Sequence, residues 1–186
     1  MHLKQEKDFE MINKALLYAY NCHLGQIRKG TSFPYIIHPL EAMIIASRMT
    51  TDDDIICAAL LHDVMEDCDV TSIELSNLFN VRIAELVLCV TDKNIYPWKK
   101  RKEVLLETVN NSSNDVKIVF LADKLSNLRS IHHDILETGD CVWKKFPNRN
   151  INDLAWYYKE VTNVLNSLSK YDEFSELKHL VELIFE

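Results

Sequence analysis

The chain has 186 residues, enough for one domain that encloses a buried site. With 47% hydrophobic and 26% charged residues, its composition is that of an ordinary globular protein. The formal net charge of −7 argues against a general nucleic-acid binder, but it permits an anionic small-molecule substrate, which needs only local positive charge. Only three glycines and four prolines interrupt long periodic segments, which favours an all-α fold in a single domain over residues 1–186.

The cysteines and the N-terminal residues indicate the cellular compartment. The five cysteines form no C-x-x-C pair, and three lie in apolar helical runs, so we interpret them as reduced core residues. The first seven residues lack the apolar run of a signal peptide, and no segment approaches the ~20 apolar residues of a membrane span. We therefore expect a cytoplasmic protein that does not contact a membrane.

The first part of the chain predicts two helices joined by a cationic loop. Apolar residues at helical spacing predict a helix over about residues 8–23, and a proline suits the start of a second helix over about residues 39–49. Arg28 and Lys29, between these helices, are by themselves typical of a solvated loop. Because the residue before a proline disfavours the α region, His38 should lie at the entrance of the second helix, as a metal ligand or as a polar cap.

An apolar run over residues 55–61 predicts a central helix that ends in ionisable side chains. On one continuous helix, His62 and Glu66 are four residues apart, as are Asp63 and Asp67, so all four would share one sector. Carboxylates held this close repel one another and resist burial, and a bound cation would remove that conflict. The spacing alone leaves two interpretations open: a metal site, or a helix end that becomes solvated.

The rest of the chain predicts further helices and one irregular segment. We expect helices over about residues 71–79, 81–90, 116–131, 152–169 and 172–186, another beginning at Pro97, and an irregular connection over about residues 134–150. Asp115 should cap the helix over residues 116–131. Asp123 lies among apolar neighbours on that helix, and a buried aspartate is costly unless it is paired or bound to a metal.

These anomalies together suggest one metal centre. Two imidazoles and two carboxylates form the candidate ligand set: His38, His62, Asp63 and Asp123. This mixed nitrogen and oxygen set suits Mn²⁺, Fe²⁺, Zn²⁺ or Mg²⁺. Water on such a cation ionises to a hydroxide nucleophile near neutral pH, and Glu66 and Asp67 could orient that water or carry its proton. We interpret the other histidines as surface residues: His2, His23, His132, His133 and His179.

The same residues stand in motifs that resemble a known family. The motifs are Arg28-Lys29, Tyr-x-x-His-Pro at residues 35–39, His-Asp followed by Glu-Asp at residues 62–67, and Leu-Ala-Asp-Lys-Leu at residues 121–125. Together they resemble the HD-domain metal-dependent phosphohydrolases, in particular the RelA/SpoT-type (p)ppGpp hydrolase domain. A chain of this length is most similar to the stand-alone small alarmone hydrolases. The likeness spans roughly residues 9–129.

The resemblance implies an all-α HD-domain bundle with a metal core over about residues 9–131 and C-terminal helices over about residues 152–186. It implies that one Mn²⁺ is held by His38, His62, Asp63 and Asp123. It implies Glu66 and Asp67 as the catalytic acidic pair. The implied substrate contacts are Arg28, Lys29, Asn127, Thr91 and Lys93. The reaction would use a metal-bound hydroxide to remove the 3′-pyrophosphate of ppGpp or pppGpp, a small nucleotide substrate, leaving GDP or GTP.

Two departures from the family pattern keep alternatives open. Ser126 stands where the family often has histidine or tyrosine, and residues 142–158 do not match the part of the family pattern that lines the nucleotide pocket. One alternative is an HD-domain phosphatase that acts on another nucleotide or on NADPH. The other is a non-catalytic helical binding module. P-loop, G-x-G-x-x-G and G-x-S-x-G motifs are absent, and the sequence does not determine the oligomeric state.

Overall fold

The computed structural model describes residues 2–93, 95–146 and 150–185. The α-helices are α1 His2–Cys22, α2 Ile37–Met49, α3 Asp53–Leu61, α4 Val64–Asp67, α5 Ser72–Leu78, α6 Val81–Val90, α7 Trp98–Asn110, α8 Asn114–Thr138, α9 Ile151–Val164 and α10 Asp172–Phe185. Short 3₁₀ helices span Gly139–Lys145 and Asn166–Leu168. The described residues hold no β-strand beyond one isolated bridge between Ile27 and Pro34, so the all-α prediction is confirmed for them.

Helix α8 is the central element of the bundle. Every side chain over residues 118–126 is buried, because α2, α3, α6 and α10 pack around this helix. This part of α8 is buried on all sides, which places it in the protein core. Helix α3 is similar, since residues 55–61 are all buried. Polar groups carried by α3 and α8 are therefore held by close-packed neighbours.

The helix starts follow the sequence signals in part. The Asp52 side chain caps α3 by accepting a hydrogen bond from the backbone N–H of Asp54. The expectation that Asp115 caps α8 is wrong, because Ser113 occupies the N-cap position. Asp115 instead lies in the first turn of α8 and accepts a hydrogen bond from Arg82, which also bonds Asp52. Arg82 thus joins the starts of α3, α6 and α8.

Two boundaries near the candidate site differ from expectation. The central helix is not continuous: α3 ends at Leu61, and His62 and Asp63 form a turn before α4 begins. Helix α2 begins at Ile37, so His38 lies inside its first turn rather than before it. Pro39 is tolerated there because the first four backbone N–H groups of a helix have no partner within the helix.

Several helix boundaries in the first and last parts of the chain differ from expectation. Helix α1 begins at His2, and α8 continues to Thr138, where Gly139 with a φ of 56° ends it. Helix α8 and the following 3₁₀ helix replace much of the predicted irregular connection over residues 134–150, of which residues 147–149 lie outside the described ranges. Helix α9 stops at Val164 instead of near residue 169, since a 3₁₀ turn follows.

The structure also bears on compartment and membrane contact. All five cysteines lie in the described ranges, and each is a free thiol. None of the helices in these ranges is long and apolar enough to cross a membrane. The cytoplasmic location and the single domain stay predictions.

Candidate active site

Four ionisable side chains meet at one buried point between α2, α8 and the turn after α3. Nε2 of His62 lies 3.1 Å from Nε2 of His38 and 3.0 Å from Oδ2 of Asp63. Nε2 of His38 lies 3.3 Å from Oδ1 of Asp123 and 3.5 Å from Oδ2 of Asp63. The two histidines and Asp123 have the proximity of a metal-ligand group. The structure therefore brings together all four side chains that the sequence proposed as ligands.

Hydrogen bonds on the outer sides of the imidazoles determine which nitrogen faces the cluster. Nδ1 of His62 lies 2.8 Å from the carbonyl oxygen of Ala59, which can only accept, so Nδ1 carries the hydrogen. Nδ1 of His38 lies 2.7 Å from Oγ of Ser126, whose hydroxyl donates to Oε2 of Glu41 at 2.8 Å. Ser126 therefore accepts from His38. In their neutral forms, both imidazoles direct an unprotonated Nε2 at the carboxylates.

Charge in the cluster favours a positive occupant. Burial lowers the pKa of His38. Burial acts to lower the pKa of His62 too, but the charges of Asp63 and Asp123 raise it to about 9. For Asp63 and Asp123, burial opposes ionisation, yet His62 beside both and Lys124 beside Asp123 hold their pKa values below the usual range. Two imidazole nitrogens and two ionised carboxylates are a donor set that fits a divalent cation.

A second layer of polar groups orients the two carboxylates. The Tyr35 hydroxyl donates to Oδ2 of Asp63 at 2.7 Å. Nζ of Lys124 donates to Oδ2 of Asp123, and Nδ2 of Asn127 donates to Oδ1 of Asp123, each at 2.5 Å. Such partners restrict the orientation of ligand side chains and raise the metal affinity of a site.

Glu66 and Asp67 lie on α4, beside the cluster and open to solvent. Oε2 of Glu66 accepts a hydrogen bond of 3.2 Å from the backbone N–H of Asp92. Although the Glu66 side chain is exposed as a whole, desolvation of its carboxyl group and the charge of Asp63 raise its pKa to about 7. The same causes raise the pKa of Asp67. These carboxylates are near Asp63 because Asp63 is the N-cap residue of α4, and its carbonyl oxygen accepts from the backbone N–H groups of Glu66 and Asp67.

A cavity of about 340 Å³ adjoins the cluster. It shares Tyr35, Lys124 and Asn127 with the groups that bond the cluster's carboxylates. Its cationic lining residues are Arg28, Lys29, Lys102, Lys124 and Lys145. Its aromatic lining residues are Tyr35, Trp98, Phe146, Tyr157 and Tyr158. Cations bind phosphate and aromatic rings stack on bases, so the cavity suits a phosphorylated ligand with a flat ring.

The structure separates the predicted substrate contacts into two groups. Arg28, Lys29 and Asn127 line this cavity, and Nη2 of Arg28 donates to Oδ1 of Asn127 at 3.0 Å. Thr91 and Lys93 instead line another cavity, of about 270 Å³. The Thr91 hydroxyl donates to the carbonyl oxygen of Val87, within its own helix end. Their segment still reaches the candidate site, through the backbone of Asp92.

Sequence reasoning missed several residues of the site. Glu41 carried no signal, because it lies in an ordinary helix. Tyr157 and Tyr158 belong to residues 142–158, which the resemblance places at the nucleotide pocket, but their departure from the family pattern left them without an assigned role. Lys102 lies among four consecutive cations near the start of α7, a pattern equally typical of a solvated surface, and the structure places its ammonium group 2.7 Å from Asp92. His23, expected at the surface, is buried, and its ring centroid lies 4.9 Å from that of Tyr35.

Comparisons with known proteins identify the family of this chain. The profile of the HD domain family matches residues 15–150. A Danio rerio protein named guanosine-3′,5′-bis(diphosphate) 3′-pyrophosphohydrolase MESH1 is 42% identical over 120 residues, which are 62% of this chain and 66% of that protein. The Drosophila melanogaster protein of the same name is 37% identical over 121 residues, which are 63% of this chain and 68% of that protein.

A solved structure has a similar fold. It is described as a metazoan ortholog of SpoT that hydrolyses ppGpp, and it superposes with a TM-score of 0.78 at 29% identity. The superposition covers 93% of this chain and 94% of the other. Other relatives are much longer: this chain spans only 18% or 19% of the length of three bacterial proteins that it matches.

Proposed function

This chain belongs to the HD domain family, and we propose that it hydrolyses the 3′-pyrophosphate of guanosine tetraphosphate or pentaphosphate with the aid of a divalent cation. The observation that carries the proposal is the cluster of His38, His62, Asp63 and Asp123 beside a cavity lined by cations and aromatic rings. The pyrophosphohydrolase names of relatives that align over most of their own length support the choice of substrate.

We assign the cation to the four clustered side chains and choose Mn²⁺ as its identity. Two imidazoles with two carboxylates form a set between the all-oxygen sites of Mg²⁺ and the thiolate-rich sites of structural zinc. When bound, the cation supplies a Lewis acid and makes a coordinated water more acidic. Lys124 and Tyr35 keep the carboxylates in place by the hydrogen bonds that they donate.

Glu66 is our candidate for the group that accepts the proton of the attacking water. The Asp92 backbone N–H holds one of its oxygens, and a carboxyl group with a pKa of about 7 can accept and release a proton near neutral pH. Asp67, its neighbour on α4, would orient the same water. Water attacks the phosphorus bound to O3′, the P–O3′ bond breaks, O3′ takes up a proton, and pyrophosphate leaves.

Arg28, Lys29 and Asn127 are the proposed substrate contacts. Their side chains line the cavity beside the cluster, where cations would compensate the negative charge of the phosphates. Tyr157 and Tyr158 offer ring faces to the guanine base. We assign no contact to Thr91 and Lys93, since both line the other cavity.

The direct test is product analysis with purified protein. Incubation with ppGpp and Mn²⁺ should yield GDP and pyrophosphate in equal amounts, and treatment with a chelator should stop the reaction. GDP, which has no 3′ phosphate, is the control substrate. Release of only monophosphate, from NADPH or another nucleotide, would replace the proposal by the phosphatase alternative. No turnover of any nucleotide with any divalent cation would support a binding module.

Lys145 is a further cation of this cavity, in the segment that departs from the family pattern. Its ammonium group lies 2.9 Å from Asp134. Its stem packs against Gly30, where a Cβ atom would overlap the Lys145 side chain. Gly30 therefore lets Lys145 approach the loop that carries Arg28 and Lys29. This position suits a contact with a substrate phosphate.

We expect Lys145→Met to raise KM for ppGpp about 10-fold with little change in kcat, because a charge-assisted contact that is equal in ground and transition states contributes to binding alone. Steady-state kinetics would measure both constants. Lys144→Met is the matched control, since Lys144 is exposed and does not line the cavity. An unchanged KM would show that Lys145 does not contact the substrate.

A further inference from the structure

A row of hydrogen bonds leads from the metal cluster to the C-terminal helix. From Nδ1 of His38 it passes through Oγ of Ser126 at 2.7 Å to Oε2 of Glu41 at 2.8 Å. The other oxygen of Glu41 accepts from Nη1 of Arg129 at 3.1 Å. Nε and Nη2 of Arg129 bond the two carboxylate oxygens of Glu176, each at 2.7 Å. The row thus joins α2, α8 and α10.

The inner part of this row of hydrogen bonds is buried. Ser126 is 0% exposed and His38 is 2% exposed, so solvent does not supply substitute partners there. Glu41 and Arg129 are only partly buried. Arg129 makes a two-pronged contact with the Glu176 carboxylate, the geometry that a guanidinium group fits best. So held, Arg129 donates a single hydrogen bond to the Glu41 carboxylate.

The Glu41 carboxylate determines the direction of the inner hydrogen bonds. An ionised carboxylate can only accept, so it takes the Ser126 hydroxyl hydrogen and leaves the Ser126 oxygen as an acceptor for Nδ1–H of His38. Without Glu41, that hydroxyl could rotate and donate to Nδ1. His38 would then carry its hydrogen on Nε2, the atom that faces Asp123 and that a cation must contact.

We propose that Ser126 and Glu41 are positioning residues for the cation, which hold His38 with its Nε2 lone pair directed into the cluster, and that Arg129 and Glu176 hold Glu41. The inference rests on the metal site of the proposed function but not on the identity of the substrate. It also gives a role to the serine that departs from the family pattern, as the link between a ligand on α2 and the core helix α8.

The test is metal affinity, measured by titration of the metal-free protein with Mn²⁺ and with Zn²⁺. Ser126→Ala and Glu41→Ala should each weaken binding about 10- to 100-fold, the usual cost of losing a partner of a ligating histidine. Glu176→Ala should weaken it less, because Arg129 can still contact Glu41. Ser47→Ala, an exposed serine of α2 bonded within its own helix, should leave the affinity unchanged.

A spectroscopic readout separates positioning from general damage. In ¹H–¹⁵N spectra of the diamagnetic Zn²⁺ form, the Nδ1–H of His38 should exchange slowly with solvent, and Ser126→Ala should remove that protection. Glu41→Ala alters a partly buried residue, so it should fold and provide the affinity test if Ser126→Ala does not fold. Wild-type affinity in the folded variants would overturn this inference alone, whereas a wild-type protein that binds no divalent cation would contradict the proposed function itself.

Discussion

Asp63→Ala should abolish the binding of a divalent cation and with it the hydrolysis of ppGpp. Oδ2 of Asp63 lies within 3.5 Å of Nε2 of both His38 and His62, so this oxygen is at the centre of the site. Its removal leaves two imidazoles and one carboxylate, and takes away one of the two negative charges that oppose the cation's cost of burial. We expect the affinity to fall by more than about 100-fold, beyond the loss that a supporting residue alone would cause.

Metal content after dialysis and calorimetric titration would measure the loss, and pyrophosphate release would report its effect on turnover. Asp140→Ala is the matched control, because Asp140 is exposed and lies outside the cluster. Full Mn²⁺ binding by a folded Asp63→Ala protein would remove Asp63 from the ligand set and would leave His38, His62 and Asp123 as the only candidates.

The helical class and the likeness to HD-domain proteins were predictable because both depend on local signals. Runs of apolar residues predict α3 and α8. Asp123 was predicted as a site residue because it is an isolated aspartate among the apolar residues of α8. The comparisons confirm the family that the motifs resembled. The four proposed ligands lie close together because α2 and α3 pack on α8. The spacing of residues along the sequence does not predict this packing. The assignment of those residues as ligands stays a prediction.

The turn at His62 shows why the internal geometry of the site could not be predicted. The imidazole takes the Ala59 carbonyl as its acceptor, the group that in a continuing helix would serve the backbone N–H of Asp63. A side chain thus replaces one backbone hydrogen bond, and α3 ends. The prediction of one continuous helix is therefore wrong. The helical spacing of Asp63 and Asp67 nevertheless holds, because both belong to α4 and its N-cap.

The cavity depends on contacts between distant parts of the chain. Tyr157 and Tyr158 on α9 meet Lys102 of α7 and Lys124 of α8, and the Lys102 ammonium lies 5.2 Å from the Tyr157 ring centroid. A pattern of apolar residues predicts that α9 buries one face, but it does not tell which helix that face will meet. The packing of the helices is what places the Tyr157 ring beside Lys102 and Lys124.

Glu66→Gln should reduce kcat by about 100- to 10,000-fold while KM and metal affinity stay near their wild-type values, because general-base catalysis contributes a factor of this size. The amide oxygen can still accept the Asp92 backbone N–H, but the amide cannot take a proton from water. Glu66 is absent from the hydrogen bonds that orient Asp63 and Asp123, so the cluster should remain intact. Single-turnover kinetics with saturating Mn²⁺ would isolate the chemical step.

Glu107→Gln, a change at an exposed glutamate of α7, controls for the loss of one negative charge. Asp67→Asn, compared under the same conditions, separates the two carboxylates of α4. If Glu66 accepts the proton and Asp67 only orients the water, Asp67→Asn should lose less rate than Glu66→Gln. A Glu66→Gln protein with wild-type kcat would assign proton transfer to another group, and Asp67 is the neighbouring carboxylate whose pKa is also raised.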